Sequence, residues 1–347
     1  MPYFKIGNSI LNQNSKPFFV AEIGINFEGS LEIAKKTILA AKKAGAHSVK
    51  FQYYKTEDFI SSKKLTFDFN KNNKKKITQY ELFKKNELSY KQIVILKEFS
   101  DKNDIIFHAT PTSERAINEL IDIGCKIIKN GSDFLTNFKI LKALAAKKIP
   151  LILSTGMCKE KEINFALNFL KNYRKNNIIL LHCVSNYPTK IQDSNINRIS
   201  NLKNKYKLLC GYSDHTIGVT SAISARLLGS IWFEKHFTLD KKQDGPDHLF
   251  SCDEKELKHY ITSINEVDKC LGNGKIDYNK VEKTSRELFG ISCFSKKNIP
   301  KNKKIDLNDI TFLRPGDGIP PSKINKIIGK RALIDIKERS KLKINFF

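Results

Sequence analysis

Apolar and polar positions along this chain alternate between two periods. Eight short runs carry β-type spacing: FFVAEIG (Phe18–Gly24), SVKFQ (Ser48–Gln52), IIFHATP (Ile105–Pro111), KIIKNGS (Lys126–Ser132), PLILSTG (Pro150–Gly156), IILLHCV (Ile178–Val184), LLCGYSDH (Leu208–His215) and SIWFEKHF (Ser230–Phe237). Between them apolar residues recur at helical spacing. Leu31, Ala34, Ile38 and Ala41 form one such face, opened by Ser30 as N-cap and stopped by Gly45. Further helices are predicted over about 89–102, 113–123, 137–147, 159–175, 194–204, 218–228 and 253–271. Strand and helix thus alternate to about residue 272, which predicts a parallel α/β sheet, and eight units predict its closure into a (β/α)8 TIM barrel. The 61–80 stretch follows neither period and reads as a long loop on the active face. Residues 273–289 read as a linker with a helical piece. Residues 290–347 read as a small β-rich module, punctuated by RPGDGIPP (Arg314–Pro321).

Composition narrows the class. No apolar stretch approaches the roughly 20 residues of a membrane span, and the first residues lack a secretory pattern, so a cytoplasmic enzyme without membrane partners is expected. Seven cysteines with no C-x-x-C pair suit reduced, buried thiols rather than a disulfide frame or zinc site. A net charge of +25 raises the question of nucleic acid, but only eight of the basic residues are Arg and no aromatic stacking motif accompanies them. Nucleic acid is therefore not expected as a partner. Positive potential that gathers an anionic substrate is.

The strand ends carry the chemistry. In a parallel barrel they converge on one mouth. His215 and His236 close the seventh and eighth runs, beside Asp214 and Glu234, and two imidazoles with open positions suit a divalent metal. His182 is a further candidate, for the metal or for hydrogen bonding, and His108 is similarly placed. Lys50 and Lys129 sit inside β runs, where a lysine requires an anionic partner. With the hydroxyls of Thr110, Ser132, Ser154 and Ser213 they have the composition of an oxyanion cradle. Glu22 and Glu234, also within strands, are candidates for acid–base work, the alternative being structural Glu–Lys ion pairs.

AEIGIN (21–26), VKFQ (49–52), STGM (154–157), LLHCVSNYP (180–188), GYSDHTIG (211–218), EKHFTLD (234–240), GPDH (245–248) and RPGDGI (314–319) together resemble the sialic acid synthase family, in order and over essentially the whole chain. The resemblance implies a TIM barrel followed by an antifreeze-like (SAF) domain, and a homodimer in which one subunit's SAF domain caps the other's active site. It implies a transferase that condenses phosphoenolpyruvate with an N-acetylated amino sugar. It places Mn2+ or Mg2+ on His215 and His236, where the metal would polarise the sugar's open-chain aldehyde. Lys50, Lys129, Thr110, Ser132, Ser154 and Ser213 match positions that hold phosphoenolpyruvate, and Glu22 matches an acid near its C2. Gln52, Tyr187, Asp247 and Arg314 match sugar contacts, Arg314 coming from the partner's cap; Ser185, within LLHCVSNYP, joins the substrate set and Glu234 the catalytic one. The chain also departs from the pattern. Phe27 and Glu28 replace a His-Asn or His-Asp pair. Ser132-Asp133-Phe134 replaces S-G-D or S-G-E, which leaves the acidic sugar contact at Asp133 or missing, and Gly290-Ile291 stands where a pair of arginines is usual. These changes touch sugar recognition more than condensation. The reading is N-acetylneuraminate synthase first, N,N′-diacetyllegionaminate synthase next and pseudaminate synthase after them. A catalytically silent sugar-binding protein would show gaps in the metal or phosphate set, and none is present.

Overall fold

The structure, a computed structural model, describes residues 2–66, 77–147, 149–171 and 177–347. It divides into two compact units, Met1–Gly272 and Asn273–Phe347.

The first unit holds a closed barrel of eight parallel strands: β3 (Phe18–Gly24), β4 (Ser48–Tyr53), β5 (Ile106–Pro111), β6 (Ile128–Asn130), β7 (Leu151–Ser154), β8 (Ile178–His182), β9 (Leu209–Asp214) and β10 (Trp232–His236), with β10 pairing back onto β3. The TIM barrel expected from the alternation is the observed fold. Ahead of it lies an antiparallel hairpin, β1 (Tyr3–Ile6) and β2 (Ser9–Asn12), which the spacing of the runs did not reveal.

A side-chain period of two sorts every barrel strand into an outer and an inner set. Phe19, Ala21, Ile23, Val49 and Phe51 join the large core shared with the surrounding helices. Phe18, Val20, Ile127, Ile152, Ile179, Leu181, Leu209 and Trp232 form a separate cluster inside the barrel, closed from below by Phe4 and Ile6 of the hairpin. Two residues further along, the inner set turns polar: Val20 gives way to Glu22, Ile127 to Lys129, Ile152 to Ser154 and Trp232 to Glu234, all buried. A dry floor thus supports a charged layer.

The helices begin where the sequence places caps. In α1 (Leu31–Ala44) the Ser30 side chain accepts from Ile33 N, and Gly45 ends the helix at φ 99°. Ser89 opens α3 (Tyr90–Lys102) with a capping box to Gln92, and Ser113 opens α4 (Glu114–Asp122). Then follow α5 (Phe138–Ala146), α6 (Glu160–Lys171), α7 (Asn197–Tyr206), α8 (Thr220–Leu227) and α9 (Glu254–Leu271). The predicted end of the sixth, over 172–175, lies outside the described residues. α7 starts later than expected, because a 3-10 turn (Ile191–Asp193) and a left-handed Asn195 (φ 44°) precede it. The stretch read as a loop over 61–80 is partly helical at its end: Thr78 makes a capping box with Glu81 and starts α2 (Gln79–Lys85), while residues 67–76 lie outside the described residues.

The second unit contains α10 (Lys283–Phe289) and an antiparallel pair, β11 (Ser292–Ser295) and β12 (Ile310–Leu313). It has its own core of Cys293, Ile299, Ile305, Ile310, Ile319, Ile327, Ala332, Ile336 and Leu342. Among the described residues no helix is long and apolar enough to cross a membrane.

Candidate active site

At the C-terminal ends of the barrel strands four buried charges lock together. Lys50 Nζ lies 2.5 Å from Glu22 Oε2 and 3.8 Å from Glu234 Oε1, and Lys129 Nζ lies 2.5 Å from Glu234 Oε1. All four side chains are under a tenth exposed. The two lysines have therefore found anionic partners within the chain, as the ion-pair alternative required. Environment separates the two acids. Burial raises the Glu22 pKa against the pull of Lys50, and the charge of Glu234 adds to the rise. Burial opposes Glu234 too, but Lys129 and Lys50 outweigh it and hold that carboxylate below its usual range. One carboxyl group is thereby poised to take or give a proton and the other is fixed as a counter-ion.

Two hydroxyls touch this quartet, and two more lie at neighbouring strand ends. Lys50 Nζ donates to Thr110 Oγ1 at 3.2 Å, and Ser213 Oγ donates to Glu234 Oε1 at 3.0 Å. Ser154 Oγ is buried without a hydrogen-bond partner. Ser132 Oγ accepts from Gly156 N at 3.0 Å and sits 3.3 Å from Cys183 Sγ. Gly156 has to be glycine: a Cβ there would lie 2.6 Å from Ser185 Oγ, 2.7 Å from Cys183 Sγ and 2.9 Å from Ser132 Oγ. Arg198 secures the same turn by donating to the carbonyls of Thr155 and Cys158 at 2.9 and 2.8 Å. Gly156→Ala is expected to push Ser132 and Ser185 out of the mouth and raise KM for an anionic substrate roughly 10-fold. An unchanged KM in steady-state kinetics would show that those hydroxyls do not touch substrate.

A second group meets at Gly24. A Cβ built there would lie 3.1 Å from Glu22 Oε1, 3.7 Å from Asp247 Oδ2 and 3.8 Å from Gln52 Nε2, so this glycine marks where the three polar groups converge. Asp247 comes from the loop after β10, and its pKa is pushed up to about 7 by burial and by the charge of Glu22. Asp133 folds back over Gly131, toward Thr110, and burial raises its pKa as well.

His215 and His236 are neighbours, their ring centroids 5.5 Å apart. Val184 O lies 2.7 Å from His215 Nδ1, which orients that ring, and Tyr187 packs on its face at 4.2 Å. Burial lowers the His215 pKa to about 4 and drives His236 well down, the nearness of His215 adding to the latter effect. Both rings are thus neutral, the form that binds a cation. His236 Nδ1 is buried without a hydrogen-bond partner, and Asp247 Oδ2 stands off at 3.4 Å. This donor set fits a divalent metal. Among the described residues no group of three or more His, Cys, Asp and Glu gathers as a metal cage, so a cation on the two imidazoles would keep positions for water and substrate oxygens.

Three residues lie elsewhere than the strand ends suggested. Asp214 turns away from the mouth to pair with Lys235 at 3.0 Å. His182 contacts Ser194 O at 2.7 Å and stacks on Tyr212, so it does not join the two histidines. His108 lies within the barrel, fully buried against Trp232. Arg314 belongs to the second unit, where its guanidinium lies over the Phe289 ring at 5.3 Å. The sequence reading missed Cys183 and Arg198, which shape the Gly156 turn. It missed Asn26 as well, whose buried amide donates to Phe237 O and Ser251 Oγ, both at 2.9 Å. An Asn two residues past the end of β3 was the available signal.

Comparison with known proteins gives consistent matches. The NeuB family model matches residues 37–276 and the SAF domain model matches 292–339. An N,N′-diacetyllegionaminic acid synthase of Legionella pneumophila is 38% identical over 92% of this chain and 91% of its own length. A Campylobacter jejuni protein of the same name is 37% identical over 93% and 98%. The crystal structure of an N-acetylneuraminic acid (sialic acid) synthetase from Leptospira borgpetersenii superposes with a TM-score of 0.73 and 34% identity, covering 82% of this chain and 94% of that one.

Proposed function

This chain belongs to the NeuB family of nonulosonic acid synthases and carries a SAF domain, and from that premise we propose that it condenses phosphoenolpyruvate with an open-chain N-acetylated amino sugar and water, releasing phosphate. The observation that carries this reading is the buried Glu22–Lys50–Glu234–Lys129 quartet beside two neutral histidines.

Lys50 and Lys129 bind the phosphate and carboxylate of phosphoenolpyruvate, with Thr110, Ser132, Ser154, Ser185 and Ser213 as hydroxyl donors. Gln52, Asp133, Tyr187 and Asp247 hold the sugar. His215 and His236 hold Mn2+ or Mg2+, which when bound supplies Lewis-acid polarisation of the aldehyde. With the sugar so placed, C3 of phosphoenolpyruvate forms the new C–C bond and positive character develops at C2. The raised pKa of Glu22 suits it to accept a proton from the water that adds there. C–O cleavage of the tetrahedral adduct expels phosphate, and the lysines balance its charge on departure.

The acceptor we favour is 2,4-diacetamido-2,4,6-trideoxymannose, giving N,N′-diacetyllegionaminate. The two relatives of that name support it. The match to the Leptospira synthetase favours N-acetylmannosamine and N-acetylneuraminate as the second reading. The deciding assay is phosphate release with Mn2+, phosphoenolpyruvate and a panel of hexosamines; no sugar-dependent release from any of them would overturn the synthase reading.

The proposed assembly is a homodimer in which one subunit's C-terminal unit covers the partner's barrel mouth and delivers Arg314 to the N-acyl group. Arg314→Ala is then expected to raise KM for the sugar roughly 10-fold and leave that for phosphoenolpyruvate alone. Mixing Arg314→Ala with Glu22→Gln subunits should restore part of the activity, and no recovery would refute capping across subunits.

A further inference from the structure

His108 stands on β5 opposite Lys50 of β4, one layer above the apolar floor, with no exposure to solvent. Among the described residues neither of its ring nitrogens has a hydrogen-bond partner, and the same holds for Trp232 Nε1 and Glu234 Oε2. The Trp232 ring meets the imidazole edge-on at 6.1 Å, and beyond burial the charges of Lys50 and then Glu234 act on it in opposite senses. A position that only filled space beside Trp232 would take an aliphatic or phenyl group. A buried imidazole with both nitrogens unpaired is instead the kind of group that ordered water satisfies.

The donors and acceptors are complementary. A neutral imidazole offers one of each, Trp232 offers a donor and the Glu234 carboxylate an acceptor, while one water both donates and accepts. Glu234 needs such an anchor. Its contacts with Lys129 at 2.5 Å, Ser213 at 3.0 Å and Lys50 at 3.8 Å all fall on Oε1, and among the described residues Oε2 has no hydrogen-bond partner. We propose that His108 is a positioning residue of the phosphoenolpyruvate site, tied through a buried water to the second oxygen of Glu234. It fixes the carboxylate's orientation and, through it, the direction in which Lys50 and Lys129 present their ammonium groups. This role rests on the synthase reading above, whereas the water itself does not.

Two measurements test it. His108→Phe, which keeps a ring and removes both nitrogens, is expected to raise KM for phosphoenolpyruvate roughly 10-fold, with KM for the sugar unchanged. His108→Gln, which keeps a donor and an acceptor, is expected to recover most of that loss. Parental kinetics for His108→Phe, or a His108→Gln enzyme as impaired as His108→Phe, would reduce the residue to packing. An atomic-resolution crystal structure of the unaltered chain is expected to show an ordered water bonded to both His108 and Glu234 Oε2. A dry contact there would overturn the proposal whatever the variants do. A chain that holds this water yet releases no phosphate would overturn the synthase reading and the positioning role with it, and leave only the buried water standing.

Discussion

Alanine in place of His236 is expected to lower turnover by at least about three orders of magnitude while the barrel stays folded. Lewis-acid polarisation is worth several kcal/mol, and each 1.36 kcal/mol is roughly a factor of ten in rate. On the proposed metal site, losing one of the two imidazoles would forfeit most of that. Stability should move far less, because the ring lies at the mouth, its centroid 5.8 Å from that of Tyr187 and 5.1 Å from that of Phe250, rather than in the apolar floor. A chelator should reproduce the loss in the unaltered protein, and added Mn2+ should restore the parent but not the variant. Activity that survives exhaustive chelation would remove the metal from the mechanism.

Lys129→Met is expected to be nearly as damaging, for a different reason. The substitution leaves Glu234 buried, with Lys50 at 3.8 Å as the nearest remaining cation. Removing one partner of a buried pair typically destabilises by about 3–5 kcal/mol, since the remaining charge is stranded. The double variant Lys129→Met/Glu234→Gln removes both charges and should recover much of that stability. Activity should not return with it if, as proposed, the Lys129 ammonium binds the anionic substrate. Denaturant midpoints and kcat/KM measured on the same three proteins separate the outcomes. If the double variant regained turnover along with stability, Lys129 would be a structural residue only.

Much of the site was legible because a barrel strand writes its two faces as alternate residues. Glu22, Lys129, Ser154 and Glu234 each follow an inward apolar residue by two positions, so the point where the interior turns polar can be read from the runs themselves. The same rule, applied strictly, excludes two of the expected residues. Asp214 lies between inward Ser213 and His215, and it faces outward to Lys235. His182 directly follows inward Leu181, and it faces Tyr212 and Ser194. Reading the end of a run as a block, without its parity, placed both in the mouth. The convergence of Asp247 with Glu22 and Gln52 carried no periodic signal. It depends on how the loop after β10 folds back, which only long-range contacts decide. α2 was missed because the low-period stretch before it masked a capping box at Thr78. The hairpin was missed because two four-residue strands are too short to show an alternation.

That hairpin has a consequence for how the chain comes together. Phe4 and Phe18 both pack on Trp232, at 5.9 and 4.3 Å, and Phe18 N bonds to Ile231 O. The hairpin therefore depends on a strand far along the chain for the surface on which Phe4 rests. Joining such distant segments carries the entropy of closing a very long loop, which slows the step that requires it. The base of the barrel thus closes as a clasp, in which Phe4 and Phe18 find their apolar seat only once the strand that carries Trp232 has joined the sheet.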